Sequence, residues 1–206
     1  MTRTFIAKAA MRAAFAVFAL CAACAMPLAA YAQREEQPSP GAWTDKVFRW
    51  QYNPSNKPAW LSDDQARQLL VDASKEWETC GLRMEYAGET NRASGVMDGV
   101  NVVGWRPDLP SNQRGVTMGR SRAGQLIERD ITFASARAEF ERYPTLLRKV
   151  IVHEFGHAIG LTHSATCNDV MTLAADCPRA DPLKLPQTPT PHDLERCHAL
   201  YRDRKP

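Results

Sequence analysis

Apolar residues recur with a helical period in the segment that follows Ser62. The stripe begins at Ala66 and reaches Trp77, with the spacing of one helix face. Ser62 is a favoured N-cap residue, and Gly81 is typical of the position just after a helix. We therefore predict a helix between Ser62 and Gly81.

A second helical pattern spans 145–159, and a third begins near residue 190. Between 150 and 159, Glu154 is the only acidic or basic residue besides histidine, so most of this helix should be buried. Thr190 suits an N-cap and Pro191 the first helical position, which predicts a helix at the carboxyl end of the chain.

Short extended segments lie between the helices. In one of them, apolar residues at 82, 84 and 86 alternate with Arg83 and Glu85, the pattern of a half-buried strand. Glycine and proline separate several of the others. The predicted strands are 47–50, 82–86, 99–105, 116–120 and 127–134, with loops at 106–115 and 178–191 and a flexible lead-in at 33–45.

The first residues carry the features of an export signal. Three basic residues precede an apolar run at 13–25 that is too short to span a bilayer, and a small-x-small cleavage pattern follows at 30–32. We predict a secretory signal peptide over 1–32 and a single periplasmic or extracellular domain over 33–206. A lipid anchor on Cys24 is the alternative.

Removal of the signal changes the charge of the chain. The formal net charge of +3 falls to about zero without the three basic residues. No basic stripe remains of the kind that binds nucleic acid. We expect a monomer with neither nucleic acid nor membrane as a partner of the mature domain.

Four cysteines remain after the signal. In an exported protein they indicate two disulfides, for which three connectivities exist. Proximity favours Cys167–Cys177, which leaves Cys80–Cys197. A thiolate zinc site is the other interpretation, and the absence of a CxxC pair disfavours it.

The sequence HEFGH begins at His153. Histidines four residues apart lie on the same helix face, so His153 and His157 can bind one ion. The pattern continues to HExxHxxGxxH through Gly160 and His163. Glycine allows a positive φ, so the chain can leave the helix and bring His163 back as a third ligand.

Three neutral imidazoles leave one position open on Zn²⁺, as in catalytic sites. Glu154 lies about a quarter turn from the histidine face, where it can reach a zinc-activated water without binding the metal. The motif therefore predicts hydrolysis with one zinc ion and with Glu154 as general base. A non-catalytic zinc-containing binding protein is one alternative, and a zinc hydrolase of non-protein amides is another.

The extended motif, followed by Met171, resembles the metzincin metalloproteases, whose signature adds a downstream methionine turn. Ser164 after the third histidine, the order of elements, and the last helix from Asp193 to Tyr201 are similar to the matrixins, the catalytic domains of matrix metalloproteases. The resemblance implies a secreted zinc metalloendopeptidase. It also implies an α+β, zincin-like fold: a twisted mixed sheet of about five strands with an antiparallel edge strand, an active-site helix and a C-terminal helix.

The resemblance further implies roles outside the motif. Met171 would form a floor beneath the ligands, and Asp193 would hold the methionine turn through backbone hydrogen bonds. Helix capping alone is the alternative for Asp193. A protein or peptide substrate would bind extended along an edge strand, which the resemblance assigns to 115–120.

Departures from the matrixins concern the metals. The first histidine of the chain is His153, so an upstream structural zinc bound by histidines cannot form. Leu173 stands where some other metzincins have a tyrosine ligand. Four carboxylates are available for Ca²⁺, but their spacing matches no calcium loop: Asp98, Asp108, Glu128 and Asp130.

Overall fold

The computed structural model describes residues 39–173, 175, 177, 181 and 183–202. The predicted signal peptide over 1–32 and the alternative anchor on Cys24 lie outside these residues. No helix in the described part is long and apolar enough to cross a bilayer. The elements are β1 (Val47–Tyr52), α1 (Asp63–Lys75), β2 (Arg83–Glu89), β3 (Val102–Arg106), β4 (Gly115–Arg122), β5 (Gln125–Ala134), α2 (Ala138–Arg142), α3 (Pro144–Ala158) and α4 (Pro191–Tyr201).

The five strands form one mixed sheet in the order β2-β1-β3-β5-β4. β1 pairs in parallel with β2 and β3, and β3 pairs in parallel with β5. β4 runs antiparallel to β5, and its outer edge has no strand partner in the described part of the chain. This arrangement confirms the predicted α+β class with an antiparallel edge strand.

Local sequence accounts for the start of two helices. The Ser62 hydroxyl accepts from the Gln65 N–H at 3.1 Å, and the Gln65 side chain accepts from the Ser62 N–H at 2.9 Å. Thr190 and Asp193 form the same reciprocal capping box at α4, with Pro191 in the first turn. Such boxes satisfy N–H groups that a helix start leaves without partners. Both predicted N-caps are confirmed.

α3 packs against the sheet through buried aromatic residues. The ring of Phe155 lies 5.3 Å from Trp50 and 6.4 Å from Phe48 of β1. Trp77, which is fully buried, donates from Nε1 to the carbonyl of Val152 at 3.0 Å. Because close-packed interiors resist small displacements, this packing holds the backbone of α3 in place against the sheet.

Residues 41–43 are buried and Ser39 is held by a hydrogen bond to the end of α3, so the predicted flexible lead-in is wrong for this part. Ala42 is fully buried and Trp43 is 8% exposed. Trp43 Nε1 donates to the Ala158 carbonyl at 2.9 Å, and Ser39 Oγ donates to the Gly160 carbonyl at 2.7 Å. The end of a helix leaves carbonyls without partners inside the helix. A polar, Pro-containing segment satisfies them here through contacts that composition alone does not reveal.

The structure differs from the sequence prediction in further places. β2 extends to Glu89 instead of residue 86, and β3 begins at Val102 instead of residue 99. α2 was missed, because five residues are too few to display a helical period. β5 begins at Gln125 instead of residue 127. The turn residues Ala123 and Gly124 both have positive φ, and they place Gln125 opposite Arg122 in the hairpin.

The carboxylates considered for Ca²⁺ are already engaged by groups of the protein. Asp98 pairs with Arg92, and Asp108 pairs with Arg106. In the described residues none of the four belongs to a group placed to hold a metal ion. The structure therefore gives no support for a Ca²⁺ site at these carboxylates. The other two, Glu128 and Asp130, are buried and accept from the backbone N–H groups of Gly95, Val96, Gly99 and Val102.

Both disulfides favoured by the sequence are present. Cys80 and Cys197 join the end of the α1 region to α4 across 117 residues, with their Cα atoms 5.6 Å apart. Cys167 and Cys177 close a short loop across 10 residues. The longer bridge links the segment that follows α1 to α4.

Removing Cys80–Cys197 should destabilise the protein more than removing Cys167–Cys177. The chain-entropy model gives about 5 kcal/mol for the longer loop and about 3 kcal/mol for the shorter one. We expect Cys80→Ser with Cys197→Ser to give the larger loss in the free energy of unfolding, measured by urea denaturation. The matched control is Cys167→Ser with Cys177→Ser. A larger loss in that control would contradict the prediction.

Candidate metal centre

The chain turns tightly at Gly160, just after the end of α3. α3 ends at Ala158, and Gly160 follows with a φ of 102°. The N–H groups of Gly160 and Leu161 donate back to the carbonyls of His157 and Gly156, both at 3.0 Å. A Cβ on residue 160 would lie 2.0 Å from the carbonyl oxygen of Gly41. Glycine is therefore required here both for its backbone conformation and for space.

This turn brings three imidazoles to one point. His157 Nε2 lies 3.1 Å from His153 Nε2 and 3.2 Å from His163 Nε2. The Nδ1 atoms of His153 and His157 lie 2.8 Å from the carbonyl oxygens of Val170 and Leu161. Because a carbonyl only accepts, each of these Nδ1 atoms carries a proton, and the Nε2 lone pairs point toward one another.

The donor set fits a zinc ion. Burial, and to a lesser degree the adjacent His157, lowers the pKa of His153 well below its usual value, and burial lowers the pKa of His157 to about 4. Both rings are therefore neutral at physiological pH, the form that binds metal. Two nitrogen ligands of a tetrahedral zinc ion at ~2.1 Å lie roughly 3.4 Å apart. The two measured separations are close to that value.

Met171, in the segment that follows the third histidine, is fully buried. A Cβ on Gly156 would lie 2.3 Å from Met171 Sδ and 2.8 Å from the ring of Trp77. The glycine in the middle of α3 is therefore what allows Met171 to approach the helix. The methionine lies against the helix that carries two of the three histidines.

Asp193 of α4 holds the methionine turn in position. Its carboxylate accepts from the backbone N–H of Val170 at 2.9 Å and of Met171 at 3.3 Å. The same carboxylate accepts from the Thr190 N–H at 2.9 Å in the capping box. Asp193 thus makes the contacts of both predicted roles, the support of the methionine turn and the capping of α4. The carbonyl of Val170, in the same turn, contacts His153 Nδ1.

A second carboxylate, Asp169, secures the loop that follows His163. It accepts hydrogen bonds from Ser164, Thr190 and His192. Burial opposes its ionisation, but these hydrogen bonds outweigh burial and lower the pKa of Asp169. The carboxylate is therefore charged at neutral pH and joins the active-site loop to the start of α4.

Glu154 lies at the contact between α3 and the edge strand β4. It is 6% exposed, and the Thr117 hydroxyl lies 2.8 Å from its Oε2 atom. Burial raises the pKa of Glu154 to about 7, and the hydrogen bond from Thr117 acts in the opposite direction. A Cβ on Gly115 would lie 2.8 Å from Glu154 Cγ. β4 thus both positions this carboxylate and leaves room for it.

A cavity of about 590 Å³ extends along β4 above the imidazoles. One wall is β4, and the other is formed by α3 and the turn that follows it. Three basic residues, Arg114, Arg129 and Lys149, line it together with Glu154. The cavity is open enough to admit an extended chain beside β4.

Sequence reasoning missed three residues of this site. Gly156 had a signal, since a glycine inside a helix costs about 1 kcal/mol relative to alanine and so indicates close packing. The sequence also pointed to Lys149, because a lysine immediately before the apolar part of a buried helix is unusual. Thr117 had none, because its contact with Glu154 joins segments 37 residues apart.

The fold and the site together define the class of this protein. A mixed sheet with an antiparallel edge strand, an HExxHxxGxxH helix and a methionine turn are the features of the metzincins. The family model described as Matrixin matches residues 42–202. The chain therefore belongs to the matrixin family of zinc metalloendopeptidases, which confirms the predicted resemblance.

Individual relatives are distant. Human matrix metalloproteinase-17 is 26% identical over 170 residues, a match that covers 77% of this chain and 27% of that protein. The chain thus spans about a quarter of the length of this curated relative. A chain of the solved structure described as "GM1 bound form of the ECX AB5 holotoxin" is 13% identical, with a TM-score of 0.52 over 81% of this chain and 91% of that chain. This second likeness concerns the fold alone.

Replacing Gly160 should disrupt the metal centre. Gly160→Ala places a left-handed φ on alanine, which costs roughly 1–3 kcal/mol, and adds the clash with Gly41. We expect a lower Tm and loss of stoichiometric zinc, measured by thermal denaturation and metal analysis. Gly81→Ala is the control, since Gly81 has a φ of 84° but open space around its Cβ position. Equal effects of the two variants would show that the clash is unimportant.

Removing the Thr117 hydroxyl should raise the pKa of Glu154. The hydroxyl donates to the ionised carboxylate and so favours it. Thr117→Val loses this hydrogen bond, whereas Thr117→Ser keeps it. We expect carboxyl carbon-13 NMR, at fixed metal content, to show titration of Glu154 at higher pH in the valine variant only. The same titration in both variants would contradict the assigned hydrogen bond.

Proposed function

We propose that this chain is an exported zinc-dependent endopeptidase in which Glu154 acts as the general base. The observation that carries the proposal is the position of Glu154, buried beside His153 and lining the same cavity as all three imidazoles. A pKa raised to about 7 by burial suits a group that takes and returns a proton near neutral pH. A purely structural zinc site has no use for such a carboxylate.

The chain's own residues perform most of the reaction. His153, His157 and His163 would hold a zinc ion, which would supply Lewis-acid chemistry by polarising a carbonyl and acidifying water. Glu154 accepts the proton of the attacking water and delivers it to the departing amine. Thr117 holds the carboxylate through its hydroxyl, so Glu154 needs no reorientation between these two steps.

The substrate binds in an extended conformation against β4. Gly115, Val116 and Thr117 line the cavity, and the outer edge of β4 is unpaired within the described chain. An extended peptide can complete the hydrogen bonds of such an edge. Because this pairing uses backbone groups, it does not by itself select the sequence of the protein or peptide.

The domain acts outside the cytoplasm, in the periplasm or beyond the cell, as a monomer. Two disulfides support this location, since thiols remain reduced in the cytosol and oxidise after export. The bridge from Cys80 to Cys197 joins segments that lie far apart in sequence. Its formation is therefore part of folding in the exported protein.

The test is cleavage of casein or gelatin by protein expressed as the full chain and purified from outside the cytoplasm. We expect hydrolysis by the zinc-loaded protein, loss of activity with a zinc chelator, and recovery on addition of zinc. Glu154→Gln should reduce kcat by roughly a hundredfold to ten-thousandfold, the usual contribution of general acid–base catalysis.

Zinc analysis of Glu154→Gln is the control, because the variant must lose the base without losing the metal. If the wild type and Glu154→Gln both hold zinc and are equally inert, the enzyme proposal fails and a zinc-containing binding protein is favoured. Hydrolysis of cell-wall fragments without cleavage of either protein would point to a hydrolase of non-protein amides.

A further inference from the structure

A buried lysine lines the cleft without a charge partner. Lys149 lies in α3 one turn before His153, is 7% exposed, and lines the same cavity as Glu154. In the part of the chain that the structure describes, its ammonium group has no hydrogen-bond acceptor and no salt-bridge partner. Lysine is almost never buried without one.

The charge on this lysine persists at neutral pH. Burial, with a smaller contribution from nearby Arg114, lowers the pKa of Lys149 to about 8. The side chain therefore remains mostly protonated at pH 7, with three N–H donors. The ammonium group is not among the buried polar atoms that lack a partner, so it faces the solvent of the cavity. An anion that enters the cavity therefore gains an interaction that no described residue of the chain supplies.

The acidic residues of this region are already engaged. Glu139 of α2 pairs with Arg114 at 2.6 Å, and Glu154 accepts from Thr117. Leu146, one turn before Lys149 on the same face of α3, also lines the cavity, as does Val150. A ligand that suits these surroundings carries a carboxylate at the end of a short aliphatic stem.

The position of Lys149 along the cleft selects one side of the scissile bond. Arg114, which acts electrostatically on Lys149, immediately precedes β4. Arg129 lies at the other end, against Gly119 of β4. A peptide that pairs antiparallel with β4 passes its carboxyl-terminal half beside the start of that strand. For a peptide in this orientation, Lys149 lies on the side of the departing amine.

We propose that Lys149 is a specificity-determining residue that binds the side-chain carboxylate of a glutamate or aspartate immediately after the scissile bond. This inference rests on the proposed endopeptidase function and names its substrate class. Glutamate fits better than aspartate, because its longer stem can pack against Leu146 and Val150. The carboxylate of a chain end has the same chemistry and is distinguished below.

The first experiment uses peptides that differ only in the residue after the cleaved bond. Each is blocked at both ends and carries Glu, Gln or Leu at that position, so the side chain supplies the sole carboxylate. For the wild type we expect kcat/KM to be roughly tenfold to a hundredfold higher for Glu than for Gln, the worth of one hydrogen bond to a charged group. A preference for Gln or Leu overturns the inference.

Variants of Lys149 test the assignment to this residue. Lys149→Met should bring the Glu-to-Gln ratio to about one, and Lys149→Glu should reverse the preference toward a Lys peptide. Ratios are taken within each variant, so a general loss of activity cancels. Lys75→Met, at an exposed lysine of α1, is the control and should keep the wild-type ratio. An unchanged ratio in Lys149→Met overturns the inference.

Folding is monitored by thermal denaturation. Lys149→Met removes no polar contact within the described protein, so its Tm should not fall. If Lys149 were paired with a group of the protein, the same substitution would lower the Tm. A fall in the Tm of Lys149→Met would therefore contradict the view that its charge is unsatisfied in the free protein.

A binding measurement separates this inference from the proposed function. Fluorescence anisotropy gives Kd for the blocked peptides with zinc-loaded Glu154→Gln, with and without Lys149→Met. If the wild type cleaves neither these peptides nor casein or gelatin, the endopeptidase proposal fails, and these Kd values decide the inference. Tighter binding of the Glu peptide that disappears with Lys149→Met supports it, and equal Kd values overturn it.

A further peptide distinguishes the two sources of a carboxylate. It ends at the position after the scissile bond with glycine and a free carboxyl group. Weaker binding of this peptide than of the blocked Glu peptide supports recognition of a side chain. Stronger binding overturns that assignment and indicates recognition of a chain end.

Discussion

The turn at Gly160 is the constraint on which the site depends. Helix geometry alone places His153 and His157 on one face of α3, but His163 can join them only if the chain reverses within a few residues. The reversal uses a positive φ and occurs against the carbonyl of Gly41, without room for a Cβ. Because two backbone segments meet there, the start of the domain and the end of the active-site helix have to be positioned together. The relative positions of the three histidines thus depend on tertiary packing as well as on the spacing of the motif.

α4 supports the same turn from the other side. Asp193 holds the methionine turn, and Arg196 donates to the carbonyls of Thr162 and His163. Each such hydrogen bond contributes only about 1 kcal/mol, but together they hold the imidazoles in place before the metal arrives. Preorganised ligands spend less of the binding energy on ordering the chain. The last helix, remote from the motif in sequence, is therefore part of the metal centre.

The features that could be predicted from sequence are those set by neighbours along the chain. The helix starts at Ser62 and Thr190, the HExxH spacing and the αL glycine follow from residues a few positions apart, and the resemblance supplied the edge strand. What could not be predicted depends on residues distant in sequence. Packing of Trp43 on the end of α3 and the contact of Thr117 with Glu154 leave no local pattern. Lys149 is intermediate: its charge is visible in the sequence, but its lack of a partner is visible only once the surroundings are known.

The Cys80–Cys197 bridge affects what happens when the backbone is cleaved. The proline-rich segment before α4 is exposed at Leu183, and exposed loops are where chains are nicked. Without the bridge, one break there would release α4 together with Asp193. With it, the fragment that carries α4 remains covalently attached to the end of the α1 region. Its return to the methionine turn is then an intramolecular step at high effective concentration. A molecule cleaved in this segment therefore has a broken backbone, but its metal centre can reassemble because the disulfide keeps α4 attached.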